Sequence, residues 1–238
     1  MTPIEDDESD DRITWLDHSK TRLALHLLSE GEGPPLLVLH GLGESSANLR
    51  LADVSAWPGP IHGLDFTGHG RSTASQGGGY TCELLMADAD AALAVLGPST
   101  LHGRGLGAYV ALLTAGGRPD LVQGAILCDG PGLAGGGSRP TGPMIPHPDP
   151  QAADIPDPYA LVELARDLRP SDYVTEFVRQ ALEHSQVDPP IIVSAAEDPE
   201  WLHSVADIPG IQRASPTRAL TLYRDRLHPA PRLSHPKR

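Results

Sequence analysis

Short apolar runs alternate with amphipathic stretches along most of the chain. Apolar spacing typical of helices occurs at 82–96, 108–115, 159–168 and 171–184. The apolar runs between them predict buried strands at 35–40, 61–66, 99–103, 124–129, 190–196 and 218–224. Strands that alternate with helices favour right-handed crossovers, so we predict an α/β protein with a mainly parallel, doubly wound sheet.

The N-terminal part of the chain departs from this alternation. Residues 12–28 hold two strand-like runs around a polar turn at 17–20, which predicts an N-terminal antiparallel hairpin. An acidic run at 5–11 precedes it, and we expect a disordered tail over residues 1–12.

A second departure lies between two predicted strands. Residues 134–158 are rich in glycine and proline, and two predicted helices follow them. We expect this insertion, residues 134–186, to form a small irregular and helical cap. It divides the core into a first part, 13–133, and a second part, 187–238.

Composition narrows the possible partners. The 238 residues carry a formal net charge of −13, which disfavours nucleic acid and anionic membranes as partners. Cys82 and Cys128 have no metal-ligand spacing, so no metal site is expected. No cofactor is expected either. No apolar stretch approaches the length of a membrane span or a secretion leader, so the expected location is cytoplasmic.

Segments rich in glycine, histidine or acidic residues follow the predicted strands. In parallel sheets these positions meet at one edge, where ligands bind. The segments are His40-Gly41-Leu42-Gly43, Asp65-x-x-Gly68-His69-Gly70-x-Ser72, Gly103-Arg104-Gly105-Leu106-Gly107, Glu197-Asp198-Pro199 and Leu227-His228-Pro229. Their order and spacing resemble the α/β-hydrolase superfamily, of the AB hydrolase-1 type, over roughly residues 13–229.

The resemblance implies a nucleophilic serine in a Gly-x-Ser-x-Gly turn between a strand and a helix. In this chain the central residue is Gly105, while the flanking Gly103 and Gly107 are kept. Glycine has no side chain and cannot form an acyl-enzyme. The left-handed backbone expected at this turn is one that glycine adopts without strain.

The resemblance also implies an acid and a base. Asp198 matches the acid and His228 the base, and Asp129, after strand 124–129, is an alternative acid. Other interpretations stay open: Asp198 begins a helix before Pro199, Asp129 is a turn residue, and His228 is a tail histidine like His235.

An oxyanion hole is expected from the backbone N–H groups of Leu42 and Leu106. Leu42 follows His40 and Gly41, and Leu106 follows the turn. Backbone donors survive substitution, so we expect this part to be intact. His69 is interpreted as a brace for its loop.

Three functions follow from these residues. The favoured one is a non-catalytic or weakly active hydrolase homologue that binds a small apolar ligand. The second is an active hydrolase or lyase in which His228 acts as general base on water. The third is dinucleotide binding through Gly103-x-Gly105-x-x-Ala108, with Asp129 at the end of the next strand.

The C-terminus is shorter than the family pattern implies. Only nine residues follow Pro229, and the closing helix of the family is expected to be missing. Apolar surface would then be uncovered, which predicts a homo-oligomer or a protein partner at this part of the sheet.

Overall fold

A computed structural model describes residues 12–18, 20–49, 51–138 and 156–227. Its strands, in chain order, are β1 (Ile13–His18), β2 (Thr21–Ser29), β3 (Leu36–Leu39), β4 (Ile61–Leu64), β5 (Ser99–Arg104), β6 (Val122–Cys128), β7 (Ile191–Val193) and β8 (Gln212–Arg213). They form one sheet in the order β1-β2-β4-β3-β5-β6-β7-β8.

The sheet is mixed, as the sequence predicts. The first two strands form an antiparallel hairpin, and β2 also pairs antiparallel with β4. All pairs from β4 through β3 to β8 are parallel. The chain passes from β3 to β4 on one side and then to β5 on the other. The loops after β3 and β5 therefore diverge from a topological switch point, which is where ligands bind in open α/β sheets.

Six α-helices connect or flank the strands in the described part of the chain. They are α1 (Cys82–Leu96), α2 (Leu106–Gly117), α3 (Pro158–Arg166), α4 (Ser171–His184), α5 (Glu200–Ala206) and α6 (Pro216–Leu227). None of them combines the length and the apolar run that crossing a bilayer requires. The helix α2 is buried along almost its whole length because it lies between the sheet and other helices.

The last predicted strand, 218–224, is wrong because these residues belong to α6. Its buried positions are Ala219, Leu220 and Tyr223, a helical spacing that a seven-residue window also fits to a strand. Pro216 is the first helical residue, a position that proline favours.

The expected absence of a closing helix is therefore also wrong. The Tyr223 hydroxyl donates to the carbonyl oxygen of Pro189 at 3.0 Å, and its ring lies over Gly124 of β6. Apolar residues of α6 pack with those of β3, β6 and β7 in one buried cluster. The reason for a partner at this part of the sheet is thereby removed.

The predicted cap is described only in part. Residues 139–155 lie outside the described residues, as do the acidic tail 1–11 and everything from 228 onward. The helix α3 contacts the loop before α1 through Glu163, whose carboxylate accepts hydrogen bonds from the N–H groups of Gly79 and Tyr80, both at 2.7 Å. The helix α4 packs against α2 and α5 in the helical layer.

Candidate functional site

Gly105 lies at the junction between β5 and α2, at the switch point of the sheet. Its φ is +58° and its ψ is −117°, a backbone conformation that residues with a side chain rarely adopt. The predicted sharp turn with a left-handed glycine is confirmed. Its N–H donates to the carbonyl oxygen of Cys128 at 3.0 Å, which ties the turn to β6.

The turn is packed closely against the end of β3. The Gly107 N–H donates to the His40 carbonyl oxygen at 3.1 Å. A Cβ atom at position 107 would lie 2.2 Å from the carbonyl oxygen of Leu39, so only glycine fits there. This contact holds the loops after β3 and β5 side by side.

The two N–H groups predicted to form an oxyanion hole point at one atom of the protein itself. The Leu42 N–H and the Leu106 N–H both donate to the carbonyl oxygen of Pro131, each at 2.9 Å. Both N–H groups therefore already have an acceptor within the chain. The Pro131 carbonyl therefore holds the position between the two N–H groups that the resemblance to the hydrolases implies for an oxyanion.

The same loop fills the space beside Gly105. A Cβ atom built on Gly105 would lie 2.1 Å from the Pro131 oxygen and 2.6 Å from the carbonyl carbon of Gly130. Gly132, at φ +77°, brings the chain against Leu42. We refer to residues 130–132 as the plug, because they accept the N–H groups of Leu42 and Leu106 and occupy the space for a side chain at position 105.

A charged clamp lies over the plug. Arg104 donates from Nη2 to Glu44 at 3.0 Å and from Nη1 to the carbonyl oxygen of Asp129 at 3.2 Å. Glu44 in turn accepts the Gly41 N–H at 3.0 Å. Burial acts to raise the pKa of Glu44, but the hydrogen bonds from Arg104 and Gly41 outweigh it, so the pKa is lowered. Glu44 is therefore ionised at neutral pH and links the loop after β3 to the turn.

His40 is a buried, neutral brace. Its Nε2 accepts the Phe66 N–H at 3.1 Å, which assigns the ring proton to Nδ1, and Nδ1 donates to the Gly41 oxygen at 2.8 Å. Burial lowers the pKa of His40. The His69 ring lies 5.1 Å from it, and burial, with a further contribution from the neighbouring His40 ring, lowers the pKa of His69 to about 4. Both rings support the loops from within.

Asp129, the alternative acid, joins two loops. Its carboxylate accepts the Ala196 N–H at 2.7 Å and the Glu197 N–H at 2.9 Å. It therefore holds the segment after β7 against the segment after β6. Both of its oxygens are already engaged by backbone donors.

Asp198, the favoured acid, is paired with a different histidine from the predicted one. It accepts hydrogen bonds from Arg213 at 2.8 Å and from His203 Nδ1 at 2.9 Å, on the surface. The bond from Arg213, and to a smaller extent that from His203, lowers the pKa of Asp198. The bond to Asp198 in turn raises the pKa of His203. The predicted base, His228, lies outside the described residues, so its pairing with Asp198 stays a prediction.

The dinucleotide fingerprint lies at a different place in the sheet from the one that the motif requires. Gly103, Gly105 and Ala108 belong to the third strand of the parallel set and the helix after it, whereas the motif normally follows the first strand. A pyrophosphate would bind the free N–H groups at the helix N-terminus. There the Leu106 N–H is bonded to Pro131.

Sequence reasoning missed the residues that close this site. Pro131 and Glu44 are not among the residues that the sequence singles out. A Gly-Pro-Gly tripeptide after a central strand was the available signal, but local sequence does not reveal which distant N–H groups its carbonyl reaches.

Comparisons with known proteins agree on the fold. No protein-family model matches the chain, and no curated protein sequence resembles it at a significant level. The thioesterase domain from the curacin biosynthetic pathway superposes with a TM-score of 0.63, at 15% identity, covering 89% of this chain and 98% of that one. A thermophilic esterase from Thermogutta terrifontis has a TM-score of 0.57, at 18% identity, with coverage of 91% and 98%.

An N-formylmaleamic acid deformylase from Pseudomonas putida has a TM-score of 0.56, at 14% identity, covering 85% of this chain and 91% of that one. All three are enzymes of the α/β-hydrolase fold. This chain therefore has the α/β-hydrolase fold, as its sequence predicts.

Proposed function

We propose that this chain is a non-catalytic homologue of the α/β hydrolases that acts by binding rather than by turnover. The observation that carries the proposal is the plug. Its Pro131 carbonyl oxygen accepts both N–H groups, of Leu42 and Leu106, on which acyl-transfer chemistry in this fold depends.

The nucleophile argument supports the proposal independently. Gly105 occupies the strand-to-helix turn and has no side chain to attack a carbonyl carbon. The Pro131 oxygen lies where the first side-chain atom would be. Even a serine at this position would require the plug to move before a substrate entered.

The alternative of an active enzyme with His228 as general base needs the same two N–H groups. In that mechanism water attacks a carbonyl that the oxyanion hole polarises. A substrate carbonyl would have to displace the Pro131 carbonyl. Pro131 is part of the same chain, so its hydrogen bonds do not carry the entropy cost that binding a substrate from solution carries. The geometry of the described residues therefore favours binding without chemistry.

The expected ligand has to bind elsewhere than at the turn. The plug fills the space beside Gly105, so the small apolar ligand predicted from sequence has no room there. A cavity lined in part by residues 134–138, where the predicted cap begins, is a candidate for this ligand.

Two measurements test the proposal together. Activated short-chain esters should be hydrolysed no faster than in buffer, and serine-directed phosphonate probes should not label the chain. In hydrogen exchange, the amides of Leu42 and Leu106 should be protected to the same degree as amides within β3 and β5, because both are hydrogen-bonded. Robust ester turnover, or fast exchange at both amides, would contradict the proposal.

A further inference from the structure

Arg169 is a buried cation between α3 and α4. Its side chain is 1% exposed, and its guanidinium carbon lies 4.5 Å from the centre of the Tyr109 ring. Its Nη1 donates to the carbonyl oxygen of Leu133. Trp201 donates to the same oxygen from Nε1 at 2.9 Å, so the two side chains meet at one point.

The guanidinium of Arg169 forms no ion pair with a carboxylate of the described residues, although Asp167 lies two positions before it in the chain. Its Nε and Nη2 have no hydrogen-bond acceptor there. Burial raises the pKa of the nearby Cys82 thiol well above its usual range, so that group is neutral. The Asp167 carboxylate accepts the Cys82 N–H at 2.7 Å. A guanidinium does not lose its proton in proteins, and a buried charge without a partner is strongly unfavourable.

A cavity of about 370 Å³ adjoins this arginine. Its wall is formed by the loop 134–138, Arg169 and residues 199–201. This volume is within the range of small-molecule sites. The cavity lies next to the segment that follows the plug, and the turn at Gly105 does not contribute to it.

The geometry points to a carboxylate as the missing partner, and we propose that this cavity binds the carboxylate group of a small organic acid. The two unbonded nitrogens, Nε and Nη2, lie on one edge of the guanidinium plane. Both atoms are buried and the backbone of Gly135 lies against Nε, so an acid in the cavity reaches them only when the loop 134–138 shifts. That edge forms two parallel hydrogen bonds with the two oxygens of a carboxylate. Trp201 supplies an apolar wall for the rest of the acid.

Glu200 makes the site selective for charge. It is exposed, forms part of the cavity wall and accepts a hydrogen bond from Ser138 at 2.8 Å. Its negative charge repels an anion in the cavity, and it repels a dianion more than a monoanion. A monocarboxylate is therefore favoured over phosphate.

Thermal unfolding and calorimetric titration of the full chain test this proposal, with sodium acetate and sodium phosphate as probes and sodium chloride as the control at equal ionic strength. Acetate should bind saturably and raise the melting temperature above the chloride value. Arg169→Met should weaken acetate binding at least about tenfold, because both charge-assisted bonds are lost. Glu200→Gln should strengthen it at least about twofold.

Glu200→Gln is the variant that keeps the test decisive, since it changes one exposed carboxylate and leaves the buried Arg169 in place. If Arg169→Met does not fold, Arg169→Lys should still bind acetate more weakly than the wild type, because lysine cannot form the fork. Equal effects of acetate and chloride on the wild type, unchanged binding in Glu200→Gln, or tighter binding of phosphate than acetate would overturn the proposal.

This inference rests on the proposed binding role, but the two fail separately. A chain that hydrolyses esters and also binds acetate through Arg169 would contradict only the proposed function. A chain that is inert towards esters and indifferent to acetate would contradict only the carboxylate site.

Discussion

At the scale of single residues, the effect of replacing Gly105 depends on its backbone conformation and on the neighbouring Pro131. By sequence alone, replacing this glycine with serine looks like the restoration of a nucleophile. In the folded protein, its left-handed φ and the Pro131 oxygen both oppose any side chain. The glycine and the plug therefore depend on each other.

Gly105→Ser should lower the free energy of unfolding by about 2–4 kcal/mol, from backbone strain and from overlap with Pro131. It should also remain inactive on activated esters. Urea denaturation and the ester assay measure the two effects.

Gly77→Ala is the matched control for this substitution. Gly77 has a φ of +85°, but a Cβ atom there meets nothing within 4 Å. It should lose only about 1–2 kcal/mol, the conformational part. An equal loss in both variants, or ester turnover by Gly105→Ser, would show that the plug leaves room at position 105.

Asp88 is a buried carboxyl on α1 that supports the loop after β4. It accepts hydrogen bonds from the N–H and the hydroxyl of Thr67, at 2.8 and 2.9 Å. Burial raises its pKa from an ordinary 3.8 to about 7, although the bonds from Thr67 act to lower it. The folded protein therefore holds this proton between about pH 4 and 7, where the unfolded chain has released it.

The raised pKa fixes the sign of a pH effect. The contribution of Asp88 to stability is fully present below pH 3.8 and is lost as the pH rises through about 7. The unfolding free energy of the wild type minus that of Asp88→Asn should therefore increase from pH 7 to pH 4. Buried histidines such as His69 titrate in both proteins and cancel in the difference.

Chemical denaturation across this pH range measures the effect. The variant Asp88→Asn keeps a side-chain oxygen to accept from Thr67, so it isolates the ionisation. A side-by-side series in a His18→Gln background accounts for His18, whose Nε2 lies 4.0 Å from the Asp88 carboxylate. A difference that stays constant or falls towards pH 4 would show that Asp88 titrates at an ordinary pKa.

At the scale of elements, the helix α6 and the plug decide how the site and the core are closed. The helix covers one face of the central strands through Ala219, Leu220 and Tyr223. The plug covers the switch point on the carboxyl edge of the sheet. The helix α6 therefore shields apolar side chains from solvent, and the plug shields backbone N–H groups from it.

Tyr223→Ala should lower the free energy of unfolding by about 3–5 kcal/mol, because a fully buried aromatic side chain is removed beneath β6. Tyr223→Phe should lose about 1 kcal/mol, the share of the hydrogen bond to Pro189. Arg218→Ala, on the exposed face of the same helix, should change stability by no more than about 0.5 kcal/mol. Urea denaturation of the three variants compares them directly, and equal stability of Tyr223→Ala and Arg218→Ala would mean that α6 is not docked.

At the scale of the whole molecule, the fold presents a ligand-binding edge that its own chain occupies. The loops after β3, β5, β6 and β7 are joined by Glu44, Arg104, Pro131 and Asp129. The cavity beside Arg169 lies next to this closed edge. Among the described residues, the carboxyl edge of the sheet at the switch point is therefore closed by the chain itself.

NAD, NADP and FAD should not bind with micromolar affinity. The N–H group of Leu106 at the start of α2, which a pyrophosphate would need, is bonded to Pro131, and the net charge of −13 repels polyphosphates. Isothermal titration calorimetry with each dinucleotide measures this. Binding in the micromolar range would favour the dinucleotide interpretation of Gly103-x-Gly105-x-x-Ala108 over the hydrolase one.

The sequence by itself determined the architecture, because that information is local and periodic. Five predicted strands, the N-terminal hairpin and four predicted helices lie where expected, with α1 and α4 bounded as predicted. Apolar residues recur every two positions in strands and about every 3.6 positions in helices, and glycines mark the turns, so neighbouring residues carry this information. The seven residues 218–224 were too short to distinguish these periods, and α6 was missed.

Only the tertiary structure decided what fills the site. The bonds from Leu42 and Leu106 to Pro131 join residues from three different loops, and no local pattern carries them. The pairing of Asp198 with His203 and the burial of Arg169 with two unbonded nitrogens are likewise properties of packing. Sequence places chemical groups at the end of each strand, but the distances between strands determine which of those groups meet.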